Sequence, residues 1–206
     1  MVSAALGLRA SRGGSVVVAV AVDRRTPRAV LSTFLATADQ GDRLSLEPYH
    51  VAAELARGSR GRGLAQAAAA VAEGRKRQDE LAASGLADII RELERAQCKT
   101  VVAALLVNRA GWVDDLLQYS LFAPGHPPVA EGLAVRDALR FALDTCGVEV
   151  VEMDEKSLPE VASSELHLSP VEIDVQLNGL GKTAGRPWRK EQKLACLSAW
   201  VALRRL

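Results

Sequence analysis

Apolar residues fall into a few runs that differ in length and period. Val16 to Val22 is Val-rich and unbroken. It reads as a strand covered on both faces, since such strands show apolar runs rather than alternation. Ala29 to Ala36 (AVLSTFLA) is a second strand candidate. At Leu86 the period changes: Leu86, Ile89, Ile90 and Leu93 stand at i, i+3, i+4 and i+7 and share one face of a helix running to Gln97. Lys99 to Val107 (KTVVAALLV) follows at once as a central strand. A helix leading straight into an apolar strand is the signature of a parallel crossover unit.

A further helix is predicted from about Ala130 to Thr145, with Val135, Ala138, Leu139, Ala142 and Leu143 on its apolar face. Cys146-Gly147 stops it, glycine being favoured just past a helix end. Val148 to Met153 alternates as a strand, and Pro159 sits near the first turn of a short helix, where proline is tolerated. Leu168 to Lys190 reads as a polar loop. A closing helix from about Arg189 aligns Leu194, Leu197 and Val201. Asp39 to Ser84 has another character, with a basic glycine-rich loop from Arg57 to Gly63, an alanine run Ala67 to Ala70, and Arg75-Lys76-Arg77. Trp112 to Pro128 is irregular, holding Pro124, Gly125, Pro127 and Pro128. The order of elements predicts one α/β domain over residues 1–206, with a mixed sheet and insertions near 40–84 and 112–130.

Composition narrows the classes. A net charge of +1 over 206 residues provides no overall field for nucleic acid or membranes, so any basic surface must come from local clustering. Cys98, Cys146 and Cys196 are far apart and form no CxxC or Cys/His cluster, which argues against structural zinc and a secreted disulfide framework. A reducing compartment, the cytoplasm, is the simpler expectation. The longest purely apolar run, Val16 to Val22, is far short of the ~20 residues that span a bilayer. Arg9 and Arg12 among Ser and Ala, with no acid before Asp23, have an organelle-targeting flavour, so a mitochondrion or plastid is the alternative. The same residues also read as a strand from Ala4 to Leu8 and a turn from Arg12 to Ser15.

Met153-Asp154-Glu155-Lys156 is the sharpest local feature, an acidic pair at the carboxyl end of a strand. Ligand and metal sites of α/β sheets lie at such ends. Adjacent carboxylates there can hold Mg²⁺, and two ions ~4 Å apart clamp the attacking and leaving oxygens of phosphodiester cleavage. An acidic turn capping the next helix fits the same residues. Asp23 ends the Val16 to Val22 strand and is either a second metal carboxylate or a turn residue. His50, His126 and His167 are scattered and read as surface or loop residues. No nucleophile-elbow, Walker, zincin or dinucleotide motif is present, and Gly179 to Thr183 lacks the upstream glycine of a phosphate loop. Basic residues gather at Arg57 to Arg62, at Arg75 to Arg77, and at Lys182, Arg186, Arg189, Lys190 and Lys193 around Trp188. Phosphate contacts plus one stacking aromatic would suit a nucleic-acid strand; an ordinary solvated basic face fits as well.

Four segments together resemble the YqgF (RuvX-like) group of ribonuclease H-like proteins. Ala5-Leu-Gly-Leu8 with Val18 to Asp23 is similar to that family's opening. Leu86 to Val107, followed by Asn108-Arg-Ala-Gly111, is similar to its helix, strand and turn. Ala134-Val-Arg-Asp-Ala-Leu139 with Asp154-Glu-Lys-Ser-Leu158, Ala162 and Leu166 is similar to its VRxFA helix and DERLST segment. Arg189 to Leu203 is similar to its terminal helix. The resemblance implies a ribonuclease H-like mixed sheet flanked by helices and a part in maturing ribosomal RNA. It further implies a nuclease of pre-rRNA using Mg²⁺ held by Asp154, Glu155 and Asp23, with Glu191 completing the catalytic set. Two departures stand out. The family's first-strand acid falls on Arg9 if Leu6-Gly-Leu8 is the matching stretch, or on Asp23 if Val16 to Val22 is the first strand. Its last acid falls near Gln192, with Glu191 beside it. A non-catalytic RNA-binding or assembly protein is therefore the alternative, and a Holliday-junction resolvase on the same fold the third reading.

Overall fold

The computed structural model describes residues 1–23, 26–58, 62–108 and 113–206. In chain order the elements are β1 (Val2–Ser11), β2 (Gly14–Asp23), β3 (Thr26–Ala36), α1 (Arg43–Leu46), α2 (Pro48–Gly58), α3 (Gly63–Arg95), β4 (Cys98–Val107), α4 (Leu116–Phe122), α5 (Pro127–Thr145), β5 (Val150–Asp154), α6 (Leu158–Leu166), α7 (Pro170–Ala184) and α8 (Lys190–Arg204). The strands form one mixed sheet in the order β3-β2-β1-β4-β5. β1, β2 and β3 pair antiparallel, and β4 and β5 add to β1 in parallel.

β1 and β2 are joined by a two-residue hairpin at Arg12-Gly13, where Gly13 takes φ +73°, the left-handed conformation such hairpins need. The residues that suggested a targeting segment are thus β1, the central strand, and its hairpin. The first strand is Val2–Ser11 and the Val16 to Val22 run lies inside β2, so the register that makes Asp23 the first-strand acid does not hold.

Alternation sorts the strand side chains onto two faces. Ala4, Leu6, Leu8, Val17, Ala103 and Leu105 pack against Leu86, Leu93, Leu139 and Leu143 of α3 and α5. Ala5, Val18, Val20, Ala104, Leu106 and Met153 pack against Leu177 of α7 and Ala195, Ala199 and Val201 of α8. The result is a three-layer α/β/α arrangement. α8 lies close to the sheet because small residues meet there. A Cβ on Gly7 would overlap the carbonyl oxygen of Ala195 and stand 2.7 Å from Ser198 Oγ.

Several expectations are revised. The stretch read as a polar loop from Leu168 to Lys190 contains α7. Ser169 and Glu172 form a capping box at its start, and Ile173, Leu177 and Leu180 bury one face at i, i+4 and i+7. Glycines and Asn178 mask that stripe in the sequence. The helix expected at Leu86 is the last third of α3, 33 residues long, which begins at Gly63 and includes the alanine run. Gly74 lets it pass close to α1 and α2, since a Cβ there would stand 2.5 Å from the Leu44 carbonyl oxygen. α5 starts at Pro127, three residues before the expected Ala130, with the prolines in its first turn. Tyr49, Ala52, Ala67, Val71, Ala130 and Ala134 form a separate small core joining α2, the start of α3 and α5. Residues 59–61 of the basic glycine-rich loop, and residues 109–112 after β4, lie outside the described residues.

Candidate functional site

Three parallel strands bring their carboxyl ends to one place. Arg9 of β1 is level with Leu106 of β4, Leu106 with Met153 of β5, and Val107 with Asp154. The Glu155 N–H donates to the Val107 carbonyl at 2.9 Å, so the pairing continues one residue past β5. The acidic pair then divides its work. Asp154 Oδ1 accepts from the N–H groups of Lys156 (2.7 Å) and Ser157 (3.2 Å), closing the turn that leads into α6. Glu155 projects toward β1, where Arg9 Nε donates to one carboxylate oxygen at 3.0 Å and Nη2 to the other at 3.1 Å. The side chains are 25% and 30% exposed, so water screens the pair only in part.

Asp23 does not join them. Ala4 pairs with Ala21, which sets Asp23 level with Val2, seven residues down β1 from Arg9. At ~3.3 Å per residue that is on the order of 20 Å, too far to share an ion. Asp23 is the residue before the β2–β3 connection, pairing with Thr26.

Glu191 is at the correct end of the molecule. The last turns of α8, with Trp200 and Leu203, border Val22 and Pro27 at the bottom of the sheet, whereas Ala195 lies over Gly7. One turn before Ala195 is ~6 Å further up, which brings Glu191, half-buried, about level with Arg9. Gln192, near the expected last acid, is buried and caps α8, its Oε1 accepting the Arg189 N–H at 2.9 Å.

A divalent ion does not fit this arrangement. Mg²⁺ needs several oxygen donors in near-octahedral array. Here both oxygens of Glu155 are engaged by a fixed cation, and Asp154 is turned into its cap. Among the described residues no group of three His, Cys, Asp or Glu side chains converges to hold a metal.

The basic residues around α8 lie at the same end of that helix as Glu191. Lys182, Arg186, Arg189 and Lys190 are exposed; Lys193 is half-buried and its Nζ donates to Asp174 at 3.0 Å. Trp188 is not available for stacking. Its Nε1 donates to the Leu177 carbonyl at 3.0 Å, and its ring packs on Gly181, where a Cβ would collide with it.

A second group of charges, scattered along the chain, gathers only in the fold. A cleft of about 650 Å³ at the ends of β4 and β5 is lined by Arg75, Arg136, Asp137, Arg140 and Glu152, and a neighbouring cleft of about 470 Å³ by Arg12, Glu47, His50, Glu131 and Arg136. Arg140 pairs with Asp137 (2.8 Å) and Glu152 (2.6 Å), Arg75 with Asp137 (2.9 Å), and Arg12 with Glu47. Glu131 Oε1 accepts from the N–H groups of Tyr49 (2.8 Å) and His50 (3.1 Å) at the start of α2, while Oε2 is buried with no partner among the described residues. Burial pushes the Glu131 carboxyl up to about 6, against the pull of those N–H groups. The sequence signal for Arg136 was its place inside Ala134-Val-Arg-Asp-Ala-Leu139, a stretch that reads first as helix core. His126 stacks on Tyr119, with ring centroids 4.1 Å apart, and His167 ends α6 in the left-handed conformation.

No protein-family model matches the chain, and no curated protein matches it in sequence. Solved structures do match in fold. Thermus thermophilus RuvC aligns with a TM-score of 0.51 at 11% identity, covering 98% of this chain and 93% of that one. T. thermophilus RuvC in complex with a Holliday junction substrate aligns with a TM-score of 0.51 at 12% identity over the same shares. The chain therefore has the ribonuclease H-like fold of RuvC, a five-stranded mixed sheet flanked by helices, with Arg9 and Glu155 locked together at the carboxyl ends of its parallel strands.

Proposed function

We propose that this protein binds structured nucleic acid on a ribonuclease H-like scaffold without cleaving it through a Mg²⁺ site. The observation that carries this reading is the two-point grip of Arg9 on Glu155. An acid at the Arg9 position would face Glu155 and share an ion with it; a guanidinium there repels the ion and neutralises the Glu155 carboxylate. Binding draws support from the exposed Lys182 in the last turn of α7, Arg186 in the connection, and Arg189 and Lys190 at the start of α8. Structured RNA, first of all a ribosomal RNA precursor, is the substrate suggested by the YqgF resemblance of Asp154 to Leu166. A part in ribosomal RNA maturation would then be one of binding or assembly. The segments 40–84 and 112–130 are additions to the compact fold in this reading, and three unpaired cysteines favour a reducing compartment such as the cytoplasm.

A second reading is supported by the likeness to RuvC, whose structure has been solved with a Holliday junction. It is a nuclease or junction resolvase in which Glu155, Asp154 and Glu191 act once Arg9 swings away. One set of assays separates the two. Purified protein is offered a structured pre-rRNA fragment, a four-way DNA junction and a plain duplex, with Mg²⁺ or Mn²⁺. Retention of structured substrate without strand scission is expected, together with Mn²⁺ binding by titration calorimetry in Arg9→Asp but not in the wild type. Scission by the wild type that stops in Glu155→Gln would overturn the first reading and establish the second.

A further inference from the structure

Arg136 stands apart from the other arginines at this end of the sheet. Arg9, Arg12, Arg75 and Arg140 each hold a carboxylate. Arg136 makes no side-chain hydrogen bond among the described residues, and its Nε is buried without a partner. The residue is half-buried in α5 and forms part of the wall between the two clefts, lining both. Burial lowers its proton affinity, as does the like charge of Arg140, and Arg9 adds to this; Glu155 and Glu152 offset only part of it.

A guanidinium carries five N–H donors in a rigid fork and keeps its charge in proteins. Holding it half-buried without a hydrogen-bonded carboxylate costs the fold desolvation energy that the fields of Glu155 and Glu152 return only in part. Apolar side chains of similar length would pack there at less cost. An anion entering either cleft would meet whichever guanidinium N–H groups border it, while the buried Nε stays out of its reach. Acidic residues line both clefts as well, Asp114, Asp115, Asp137 and Glu152 in the larger and Glu47 and Glu131 in the smaller, so the pull on an anion is confined to Arg136 itself. Asp137 and Glu152 are neutralised by Arg75 and Arg140, and Glu47 by Arg12. Asp114 and Asp115, exposed in the lining of the larger cleft, disfavour an anion beside them.

We infer that Arg136 anchors a phosphate-binding subsite between the two clefts and takes one backbone phosphodiester of the bound nucleic acid. The inference rests on the nucleic-acid reading above. It adds a contact on the α5 side of the strand ends, opposite the basic start of α8, so that a bound strand crosses the carboxyl edge of the sheet over the Arg9–Glu155 pair.

The test uses the full chain as wild type, Arg136→Met and Arg136→Lys. Anisotropy titrations with a labelled structured RNA between 50 and 200 mM KCl are combined with thermal unfolding, with and without inorganic phosphate. Arg136→Met should keep or raise the melting temperature, bind RNA several-fold more weakly, and lose about 1 from the slope of log K against log salt, while Arg136→Lys keeps the slope. Unchanged RNA affinity and slope in Arg136→Met would overturn the subsite and leave the nucleic-acid reading intact. A lowered melting temperature in both variants would also overturn it, because Arg136 would then be serving the fold. If the wild type binds no RNA but phosphate raises its melting temperature and not that of Arg136→Met, the nucleic-acid reading fails and the subsite stands. If phosphate has no such effect either, both fall.

Discussion

Arg9 and Glu155 lie 146 residues apart in the chain and meet through two hydrogen bonds, 3.0 and 3.1 Å long, at the carboxyl end of β1. The strand register brings the two ends within reach, since Arg9 is level with Leu106 and Leu106 with Met153, and the long side chains span the remaining gap across β4. Removing one partner strands the other in a partly dry site. Arg9→Leu or Glu155→Leu alone should each cost about 1–3 kcal/mol in chemical denaturation. The double variant should cost less than the sum, by about 1 kcal/mol or more. Strict additivity would show that the pair contributes nothing to the fold.

Gly7 is where the central strand touches α8. Alanine there would drive its Cβ into the Ala195 carbonyl, with backbone on both sides and little freedom to relax. A loss of about 2–3 kcal/mol is expected for Gly7→Ala. Gly132 on α5 has open space where a Cβ would go. Gly132→Ala should stabilise by about 0.5–1 kcal/mol through helix propensity. Melting temperatures of the two variants should move in opposite directions.

Glu131 should make the protein lose stability as pH rises through the mildly acidic range. Its carboxyl is raised from 4.5 to about 6 in the folded chain, so between those values the folded state binds more protons than the unfolded one. Stability contributed by this group is therefore greatest below about pH 4.5 and declines up to about pH 6.5. Glu131→Gln keeps an acceptor for the Tyr49 and His50 N–H groups and should flatten that decline in urea titrations run across the same window. An unaltered pH profile in the variant would assign the dependence to other groups.

Trp188 belongs to the core in this structure. Trp188→Phe should lose the hydrogen bond to the Leu177 carbonyl and about 1 kcal/mol of stability, with RNA affinity unchanged. A fall in affinity at unchanged stability would return Trp188 to the role of a stacking platform.

The elements legible in the sequence are those whose pattern is local. The unbroken apolar run at Val16 to Val22, the Lys99 to Val107 strand and the striped helix before Thr145 each follow from burial on two faces or one. Those periods are properties of a strand or a helix whatever its neighbours. α7 carries a capping box and an i, i+4, i+7 stripe, yet Asn178, Gly179 and Gly181 lower its helix propensity enough to read as loop. What holds it in place is packing of Ile173, Leu177 and Leu180 on the sheet face shared with α8.

At the site, the sequence alone determined that Asp154 and Glu155 sit where a strand gives way to a helix, because the alternation of Val148 to Met153 ends there and a proline-led helix begins. It left open whether Arg9 or Asp23 stands beside them, since a residue's neighbours across a sheet depend on strand order and register, which no local period encodes. Pairing decided that. β1 between β2 and β4 brings Arg9 to Glu155, the antiparallel return of β2 carries Asp23 to the far end, and the lie of α8 over Gly7 brings Glu191 up while Gln192 caps the helix. Only tertiary structure could show that, among the described arginines lining the two clefts, Arg136 is the one with no carboxylate in hydrogen-bond contact, because Arg12, Arg75 and Arg140 find theirs through space.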